Sequence, residues 1–500
     1  MNFYQFMIPR LNGIDMEKNF GYYLGLVRKG IGGFIIFGGE LETIRKGIRE
    51  LQMEARLPLF IASDLEQGLG QQIKGGTLFP PAMAVAAAVS GAQVAVRSGS
   101  ELMAPELKPQ GAQLLKKIFT SIACEAEYAG INTVFAPVLD INTNPQNPII
   151  ATRSFGEDAG MVSYFGCKMV RVLQNNGIIA CGKHFPGHGD TETDSHIGLP
   201  VILKDLPVLE KTELVPFRKA VDAGVKMIML GHLSIPAIEP TGLPVSLSAH
   251  ATAYLRKMMG FRGIIISDAL NMQGLKGLDL MTEEEASLRA LCTGTDLLLH
   301  PTDPANMASY LEQSGYLPEG KTMRRLERFR RRHCVQHAFK HQRCSFSEHI
   351  NLSKEVTKKA ITVNGVLGPV KKPLLVILND DEFENGIVLK NELRRRLPSV
   401  ECRIYNKQTP FLEIQPGDKA QGKELILSVF SGIRAWKGGA SGWLKDALKI
   451  YSRHANILIS FGSPYLLSSL ETEAAKIFAY WNSEQAQKSV AEIIASCDEQ

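Results

Sequence analysis

The chain has 500 residues, of which 45% are hydrophobic and 21% are charged. This composition supports a large buried core and argues against disorder, and the length favours two or three domains over one. The formal net charge of +5 is small for this length and does not indicate nucleic-acid binding.

The cysteines and the apolar segments indicate in which cellular compartment the protein is expected. The eight cysteines are scattered without CxxC pairs, which favours free thiols in a reducing compartment over a disulfide framework. The first twenty residues lack the apolar region and cleavage site of a secretory signal, and no later stretch offers about 18 uninterrupted apolar residues. We therefore expect a cytoplasmic protein without a membrane span.

Short apolar runs recur in the first 300 residues, and most are followed by a stretch with helical spacing of apolar residues. The runs are QFMIP (5–9), GGFIIFG (32–38), PLFIASD (58–64), INTVFAPVLD (131–140), GIIACGKH (177–184), VKMIMLGH (225–232), GIIISDA (263–269) and TDLLLHP (295–301). An open sheet would more often stop at five or six strands. The count predicts an α/β fold with a (β/α)8 barrel over residues 1–315.

The chain changes character after the barrel. Residues 317–350 are dense in arginine, lysine and histidine. They are interpreted either as a docking patch for anions or as a solvated amphipathic helix leading into a linker. Beyond them, KPLLVILND, ELILSVFSG and NILISFGSP are three further strand-like runs. We expect a basic helical linker over 316–350 and a smaller α/β domain over 351–500.

Polar residues stand at or near the ends of the predicted barrel strands, where barrel enzymes carry their chemistry. They are Asp64, Asp140, Lys183, His184, His232 and Asp268. Any one alone could be a helix cap or a member of a loop salt bridge. Together they predict a functional site at this end of the barrel.

The segment GKHFPGHGDTETDSH (182–196) concentrates titratable groups. One interpretation is a metal site, with candidate ligands His184, His188, Asp190, Asp194 and His196. Prolines and glycines exclude the helical arrangement of two histidines but not a loop site, and a glycine-rich loop with incidental histidines is a further alternative.

The third interpretation of this segment is an acid/base pair. Residues two apart in an extended segment point the same way, so Asp194 can reach the ring of His196 and raise its basicity. Such a pair needs a group that attacks carbon. Asp268, at the end of its apolar strand, is the candidate carboxylate nucleophile.

Several motifs carry a family resemblance. KHFPGHGDTETDSH, ASDLEQG, FAPVLDIN, RSFGED and ISDALNMQGL occur in the order and spacing of family 3 glycoside hydrolases, and they resemble most the β-N-acetylglucosaminidases that recycle cell-wall fragments. The downstream segment ISFGSPYLL resembles the α/β sandwich domain that follows the barrel in two-domain members. The resemblance covers nearly the whole chain.

The resemblance implies a role for each of three catalytic residues. Asp268 is implied as the nucleophile that forms a covalent glycosyl-enzyme, which makes the reaction retaining. His196, oriented by Asp194, is implied as the acid that protonates the leaving oxygen and as the base that then activates water.

The resemblance also implies sugar-binding residues. Asp64, Arg153, Lys183 and His184 are implied to hold the hydroxyls and the N-acetyl group of the sugar, and the alternative is a salt-bridge network that stabilises the barrel mouth. His232 is expected either to line the pocket or to be structural.

One position departs from the family pattern. The pattern has an arginine eight residues after Asp64, and this chain has Gln72 there. Glutamine can bind a hydroxyl but lacks the guanidinium fork. The sugar is then bound more weakly, or the substrate differs at that hydroxyl, or Lys74 compensates.

The resemblance implies an exo-acting, retaining β-N-acetylglucosaminidase that needs no cofactor or metal and acts on N-acetylglucosaminyl-anhydromuramyl peptides. A phosphorylase with the same catalytic residues is a close alternative, because a histidine repels phosphate less than a glutamate would. A degenerate sugar-binding or scaffold protein and a metal-dependent hydrolase are alternatives of other classes.

Overall fold

The computed structural model describes residues 2–91, 107–192, 198–272, 281–335, 344–380, 385–409, 422–433 and 439–497. These residues form a parallel barrel followed by a second, smaller sheet with its own helices. None of the described helices is both long enough and apolar enough to cross a membrane.

In the described part of the chain, the barrel sheet has the strand order β1-β9-β8-β7-β6-β5-β4-β3-β2, and all of its pairs are parallel. Its strands are β1 (Met7–Ile8), β2 (Arg10–Asn12), β3 (Gly33–Phe37), β4 (Phe60–Ser63), β5 (Thr133–Val134), β6 (Ile179–Phe185), β7 (Met227–Leu230), β8 (Ile264–Ala269) and β9 (Leu297–Leu299). Each of the eight predicted runs contains strand residues, so the predicted barrel is confirmed.

The first strand of the barrel is split by Pro9. Before the proline, β1 pairs with β9, and after it β2 pairs with β3. Since proline has no backbone N–H to donate, it interrupts the ladder at the point where the chain changes partner. The two short segments together close the ring.

The barrel strands are apolar throughout because they are covered on both faces. All seven residues of β6 are buried, and so are the four residues of β4 and of β7. Side chains point alternately into the barrel and towards the outer helices, so neither set meets water. This double burial makes the strands visible in the sequence as continuous apolar runs.

Helices follow or flank most barrel strands. Their bounds are α1 (Phe20–Arg28), α2 (Leu41–Glu54), α3 (Ala82–Ser90), α4 (Pro109–Ala129), α5 (Ala159–Asn175), α6 (Leu206–Lys211), α7 (Leu214–Asp222), α8 (Ala249–Ala253), α9 (Glu283–Cys292) and α10 (Pro304–Gln313). Side chains cap the N-termini of several of these helices. The side chain of Asp158 accepts a hydrogen bond from the Met161 amide, and Thr282 with Glu285 forms a capping box at α9.

The basic segment contains helix α11 (Gly320–His333), which is attached to the N-terminal end of the barrel. Arg330 is buried there and donates to the carbonyl oxygens of Leu57 and Pro58, just before β4. Arg325 pairs with the buried Asp296. Some of the arginines in this segment therefore hold the helix to the barrel.

The second sheet has the order β10-β15-β14-β13-β11-β12, in which only the pair β10–β15 is antiparallel among the described residues. Its strands are β10 (Thr362–Asn364), β11 (Pro373–Asn379), β12 (Glu401–Asn406), β13 (Glu424–Ser431), β14 (Ala455–Gly462) and β15 (Ala475–Phe478). The three predicted strand runs are β11, β13 and β14. The expected second α/β unit is confirmed.

The remaining helices are α12 (Phe346–Ala360), α13 (Ile387–Arg396), α14 (Gly442–Tyr451), α15 (Tyr465–Ser468) and α16 (Glu484–Ala495). Helix α12 spans the predicted domain boundary at residue 350 and packs on the barrel helices α3 and α4 as well as on α16. Met83 and Ala151 of the barrel share an apolar cluster with the second sheet. The second unit therefore packs directly against the barrel; its predicted bounds stay a prediction.

Candidate active site

The carboxyl end of the barrel collects the strand-end residues, because parallel strands all finish at the same rim. Asp64 follows β4, Lys183 and His184 lie in β6, His232 follows β7, and Asp268 lies in β8. Strands β6 and β8 both pair with β7, so Lys183 and Asp268 lie two strands apart along this rim.

Two cations and two carboxylates form a connected network at this rim. The Lys183 ammonium lies 2.7 Å from Oδ1 of Asp64 and 2.7 Å from Oε1 of Glu66. Arg153 donates to both oxygens of Glu66, with Nε at 2.9 Å and Nη2 at 2.8 Å. Glu66 thus holds both cations, and the fork of Arg153 matches the carboxylate in the bidentate way that fixes its plane.

The network is charged although it is largely buried. Burial by itself would raise the pKa of Glu66, but Arg153 and Lys183 hold that pKa well below its usual range. Burial would likewise lower the pKa of Lys183, yet Asp64 and Glu66 keep it above its usual value. Lys183 is 3% exposed, whereas Asp64 is 25% and Arg153 is 23% exposed, so Asp64 and Arg153 are the members more open to a ligand.

His184 is oriented by a buried aspartate. Its Nδ1 lies 2.7 Å from Oδ2 of Asp140, and its backbone N–H donates to Oδ1 of the same carboxylate. Burial opposes ionisation of Asp140, but the charge and hydrogen bonds of His184 lower its pKa overall. Because Nδ1 of His184 faces Asp140, Nε2 is the ring nitrogen that can face a ligand hydroxyl.

His188, four residues later, is a neutral neighbour of this pair. Burial, followed by the charge of His184, lowers its pKa to about 4. Its Nδ1 lies 2.8 Å from the Thr191 hydroxyl. His188 therefore adds no positive charge near neutral pH.

Asp268 lies at the end of β8 and is only partly buried. Its Oδ1 accepts a hydrogen bond of 2.7 Å from the Ala269 amide. The carbonyl of Ala269 in turn accepts from Nε2 of His232 at 3.1 Å, and Nδ1 of His232 lies 2.7 Å from the Ser246 hydroxyl. Both nitrogens of this fully buried ring are engaged with the protein, so His232 supports the strand end beside Asp268.

The loop after β6 is anchored on two sides. Asp190 accepts from the Thr143 hydroxyl at 3.0 Å and pairs with Lys204 at 3.1 Å. The Asn147 amide donates to the carbonyl of His188 at 2.8 Å. The chain is thus fixed on both flanks of residues 193–197.

The predicted pair Asp194 and His196 falls within that stretch, outside the described residues.

The described members of the predicted metal set do not converge on one point. His184 is bonded to Asp140, His188 to Thr191, and Asp190 to Thr143 and Lys204. In the part of the chain that the structure describes, three metal-capable side chains come together at one other place, formed by Cys124, Cys344 and His349. The described residues of this loop therefore give the metal interpretation no support.

The departure at Gln72 has a structural setting. Gln72 directly follows a short 3-10 turn, Leu69–Gln71, in the segment that begins at Asp64. The Lys74 ammonium lies 2.8 Å from Oε1 of Glu40, and both side chains are exposed. Arg10 on β2 is another cation at this end of the barrel. Its guanidinium lies 4.9 Å from the centre of the Phe37 ring.

Asp64 is a predicted site residue, whereas Glu66 is not, although Glu66 makes more contacts in the network. The two carboxylates lie two residues apart in ASDLEQG, and that spacing is the available signal. The partners of Glu66 are 87 and 117 positions away, in Arg153 and Lys183. Such distant pairings depend on the closed barrel and cannot be read from local spacing.

Comparison with known proteins is consistent with this arrangement. The model of the Glycosyl hydrolase family 3 N terminal domain matches residues 25–332. Beta-hexosaminidase A of Pseudoalteromonas piscicida is 30% identical over 312 residues, which cover 58% of this chain and 49% of the relative. A beta-N-acetylglucosaminidase/beta-glucosidase of Cellulomonas fimi is 31% identical over 289 residues, covering 55% of this chain and 47% of the relative. The chain thus spans about half the length of these two curated relatives.

A solved structure resembles nearly the whole chain. The glycoside hydrolase family 3 beta-N-acetylglucosaminidase from Paenibacillus sp. str. FPU-7 is 26% identical with a TM-score of 0.78, and the match covers 99% of this chain and 96% of that one. The likeness therefore includes the second α/β unit as well as the barrel. Since the family model matches more than half of the residues, the chain belongs to glycosyl hydrolase family 3.

Proposed function

We propose that the chain is an exo-acting, retaining β-N-acetylglucosaminidase. One observation carries the proposal: the partly exposed carboxylate of Asp268 lies at the same rim of the barrel as the network of Asp64, Lys183, Glu66 and Arg153, with only β7 between its strand and that of Lys183. A sugar held by the network is proposed to present its reacting carbon to this carboxylate. Family membership and the names of the relatives support the same assignment.

The proposed reaction has two steps. Asp268 attacks the anomeric carbon, the glycosidic bond breaks, and His196 gives a proton to the leaving oxygen. His196 then takes a proton from water as the water attacks the same carbon and releases Asp268. Two displacements at one carbon retain its configuration. Asp194 is proposed to orient His196.

The network is proposed to bind the non-reducing sugar. Asp64 offers accessible acceptor oxygens for sugar hydroxyls, while the more deeply buried Lys183 and Glu66 fix its position. Arg153, 23% exposed, can donate to the substrate with the N–H groups that neither Glu66 nor the Ile149 carbonyl occupies. His184 offers Nε2 beside them. We assign His232 a positioning role, since its ring nitrogens are both engaged.

The proposed natural substrates are muropeptides with a terminal N-acetylglucosamine. The loop motif and the relatives named for N-acetylglucosamine or hexosamine hydrolysis support the sugar assignment. A cytoplasmic site of action is part of this proposal, because the scattered free cysteines fit a reducing compartment.

The purified chain should hydrolyse 4-nitrophenyl N-acetyl-β-glucosaminide in preference to the matching β-glucoside, because the network is proposed to hold the acetamido sugar. Rates are measured with and without phosphate, and the products are separated. Free N-acetylglucosamine in both conditions supports a hydrolase. A sugar 1-phosphate formed only with phosphate would replace the hydrolase by the phosphorylase alternative, and no turnover of either glycoside would favour a binding protein.

His196→Ala is expected to slow substrates with poor leaving groups far more than activated aryl glycosides. A poor leaving group needs a proton in the transition state, and acid catalysis of this kind contributes about 10²–10⁴-fold. The measurement compares kcat/KM for a natural disaccharide and for 2,4-dinitrophenyl N-acetyl-β-glucosaminide. Equal losses on both substrates would contradict the acid role.

A further inference from the structure

Two cysteines from distant parts of the chain meet on the outside of the barrel. Cys124 lies on α4, and Cys344 lies two residues before α12. Their sulfur atoms are 2.7 Å apart although the residues are separated by 220 positions. Both are partly exposed, so a small molecule in solution can reach them.

A histidine and a buried glutamate complete the surroundings of the pair. A ring nitrogen of His349 and both sulfurs lie within 4.8 Å of one another. Nδ1 of His349 is 2.8 Å from Oε1 of Glu125, which is fully buried and also accepts from the Thr77 amide. His349 is therefore held beside the sulfurs by a carboxylate whose own position is fixed by burial and by the Thr77 amide.

The surroundings make Cys124 the more acidic thiol. Its interaction with Cys344 lowers the pKa of Cys124, burial opposes this, and the charge of His349 lowers the pKa further. The same interaction with Cys124, together with burial, raises the pKa of Cys344. A thiolate is the nucleophile in thiol–disulfide exchange, so Cys124 is the group that reacts first.

We propose that Cys124 and Cys344 form a reversible disulfide by exchange with a small disulfide such as glutathione disulfide. The Cys124 thiolate attacks one sulfur, the glutathione S–S bond breaks, and one glutathione thiolate leaves. Cys344 then loses its proton to solvent and attacks Sγ of Cys124, which releases the second glutathione thiolate. The two cysteines lose two electrons in total, and one glutathione disulfide becomes two glutathione molecules.

The same three side chains resemble a zinc site, but the sulfur positions favour the disulfide. Two thiolates bound tetrahedrally to zinc, each at about 2.3 Å, lie about 3.8 Å from each other. The sulfurs here are more than 1 Å closer than that. The position of His349 beside the two sulfurs has another explanation: its charge lowers the pKa of Cys124 and so makes that thiol more reactive.

The bond would fix the start of α12 to the barrel. That helix already contacts α4 through Phe346, whose ring meets Tyr128 edge-on at 5.4 Å, and it contacts the chain before α3 through Ser353, which donates to the carbonyl of Leu78. A cross-link at its start restricts the unfolded chain over a long loop and stabilises the folded form. The oxidised protein is expected to unfold several degrees above the reduced protein.

The full-length chain is reduced, freed of reductant and incubated with glutathione disulfide, and its tryptic digest is analysed without reduction. The expected product joins peptides 118–153 and 344–354, with two fewer free thiols per chain. Cys344→Ser should stop at the first step with one glutathione on Cys124. The control Cys292→Ser removes an exposed thiol and should leave the cross-link intact.

Two outcomes would overturn the proposal. In one, Cys124 and Cys344 both stay reduced while Cys292 reacts; in the other, cross-links are distributed among several cysteines. One tightly bound zinc per chain that blocks oxidation of both thiols would replace it by a metal site. His349→Gln tests the effect of the histidine on Cys124. This variant should slow the attack of Cys124 on glutathione disulfide several-fold and still give the same final cross-link.

Discussion

Asp268→Ala is expected to lower kcat on 4-nitrophenyl N-acetyl-β-glucosaminide by at least about 10³-fold, which corresponds to about 4 kcal/mol of activation free energy. Without the carboxylate no covalent bond to the anomeric carbon can form, and the sugar-binding network alone does not supply a nucleophile. The loss should appear in kcat, and KM should change little, because Asp64 and Arg153 still hold the sugar.

A matched control separates chemistry from folding. Asp222→Ala removes an exposed aspartate at the end of α7 and should leave kcat unchanged. Circular dichroism and the melting temperature should be the same for both variants and the wild type. An Asp268→Ala enzyme that keeps a tenth of the activity would contradict the nucleophile assignment.

Glu66→Gln is expected to destabilise the protein by about 3–5 kcal/mol, since removing one partner of a buried ion pair leaves uncompensated charge behind. Arg153 would lose its bidentate partner, and Lys183 would keep only Asp64. The free energy of unfolding is measured by urea denaturation. Because the sugar-binding groups lose their fixed positions, kcat/KM should also fall at least tenfold.

The exposed pair of Lys74 and Glu40 is the matched control, with a similar distance of 2.8 Å. Glu40→Gln should leave stability unchanged within error, because exposed ion pairs contribute little. Equal losses of unfolding free energy in Glu66→Gln and Glu40→Gln would show that burial of the network is not the cause of the destabilisation.

The effect of Glu66 also has a pH signature. Its pKa is depressed in the folded protein, whereas in the unfolded chain it lies near about 4.3. The charged glutamate therefore stabilises the fold above about pH 4.3, and this contribution is lost as the pH falls further. The melting temperatures of wild type and Glu66→Gln should converge in acid; a constant gap would contradict the charged state assigned to Glu66.

The barrel could be predicted from the sequence because its strands are covered on both faces. A doubly buried strand such as Ile179–Phe185 must be apolar along its whole length, so it stands out locally. Strands β10 and β12 of the second sheet lie at its edges and have exposed or partly exposed residues, and β15 has only four residues. These three strands are not among the predicted runs, because they are short or carry polar residues beside their apolar ones.

The candidate site could be predicted only in part. The strand-end positions of Asp64, Lys183 and Asp268 followed from the apolar runs before them. The role of Glu66 and the engagement of both nitrogens of His232 could not, since they depend on which side chains meet across the barrel. Asp194 and His196 lie outside the described residues, so their pairing stays a prediction.

The central claim is that Asp268 forms a covalent bond to the sugar. The direct measurement is mass spectrometry of the enzyme after incubation with 5-fluoro-N-acetyl-β-glucosaminyl fluoride, a substrate that forms the intermediate quickly and releases it slowly. We expect one added sugar per chain, located on Asp268 by peptide fragmentation and absent from Asp268→Ala. A sugar attached to another residue, or steady turnover with no adduct, would contradict it.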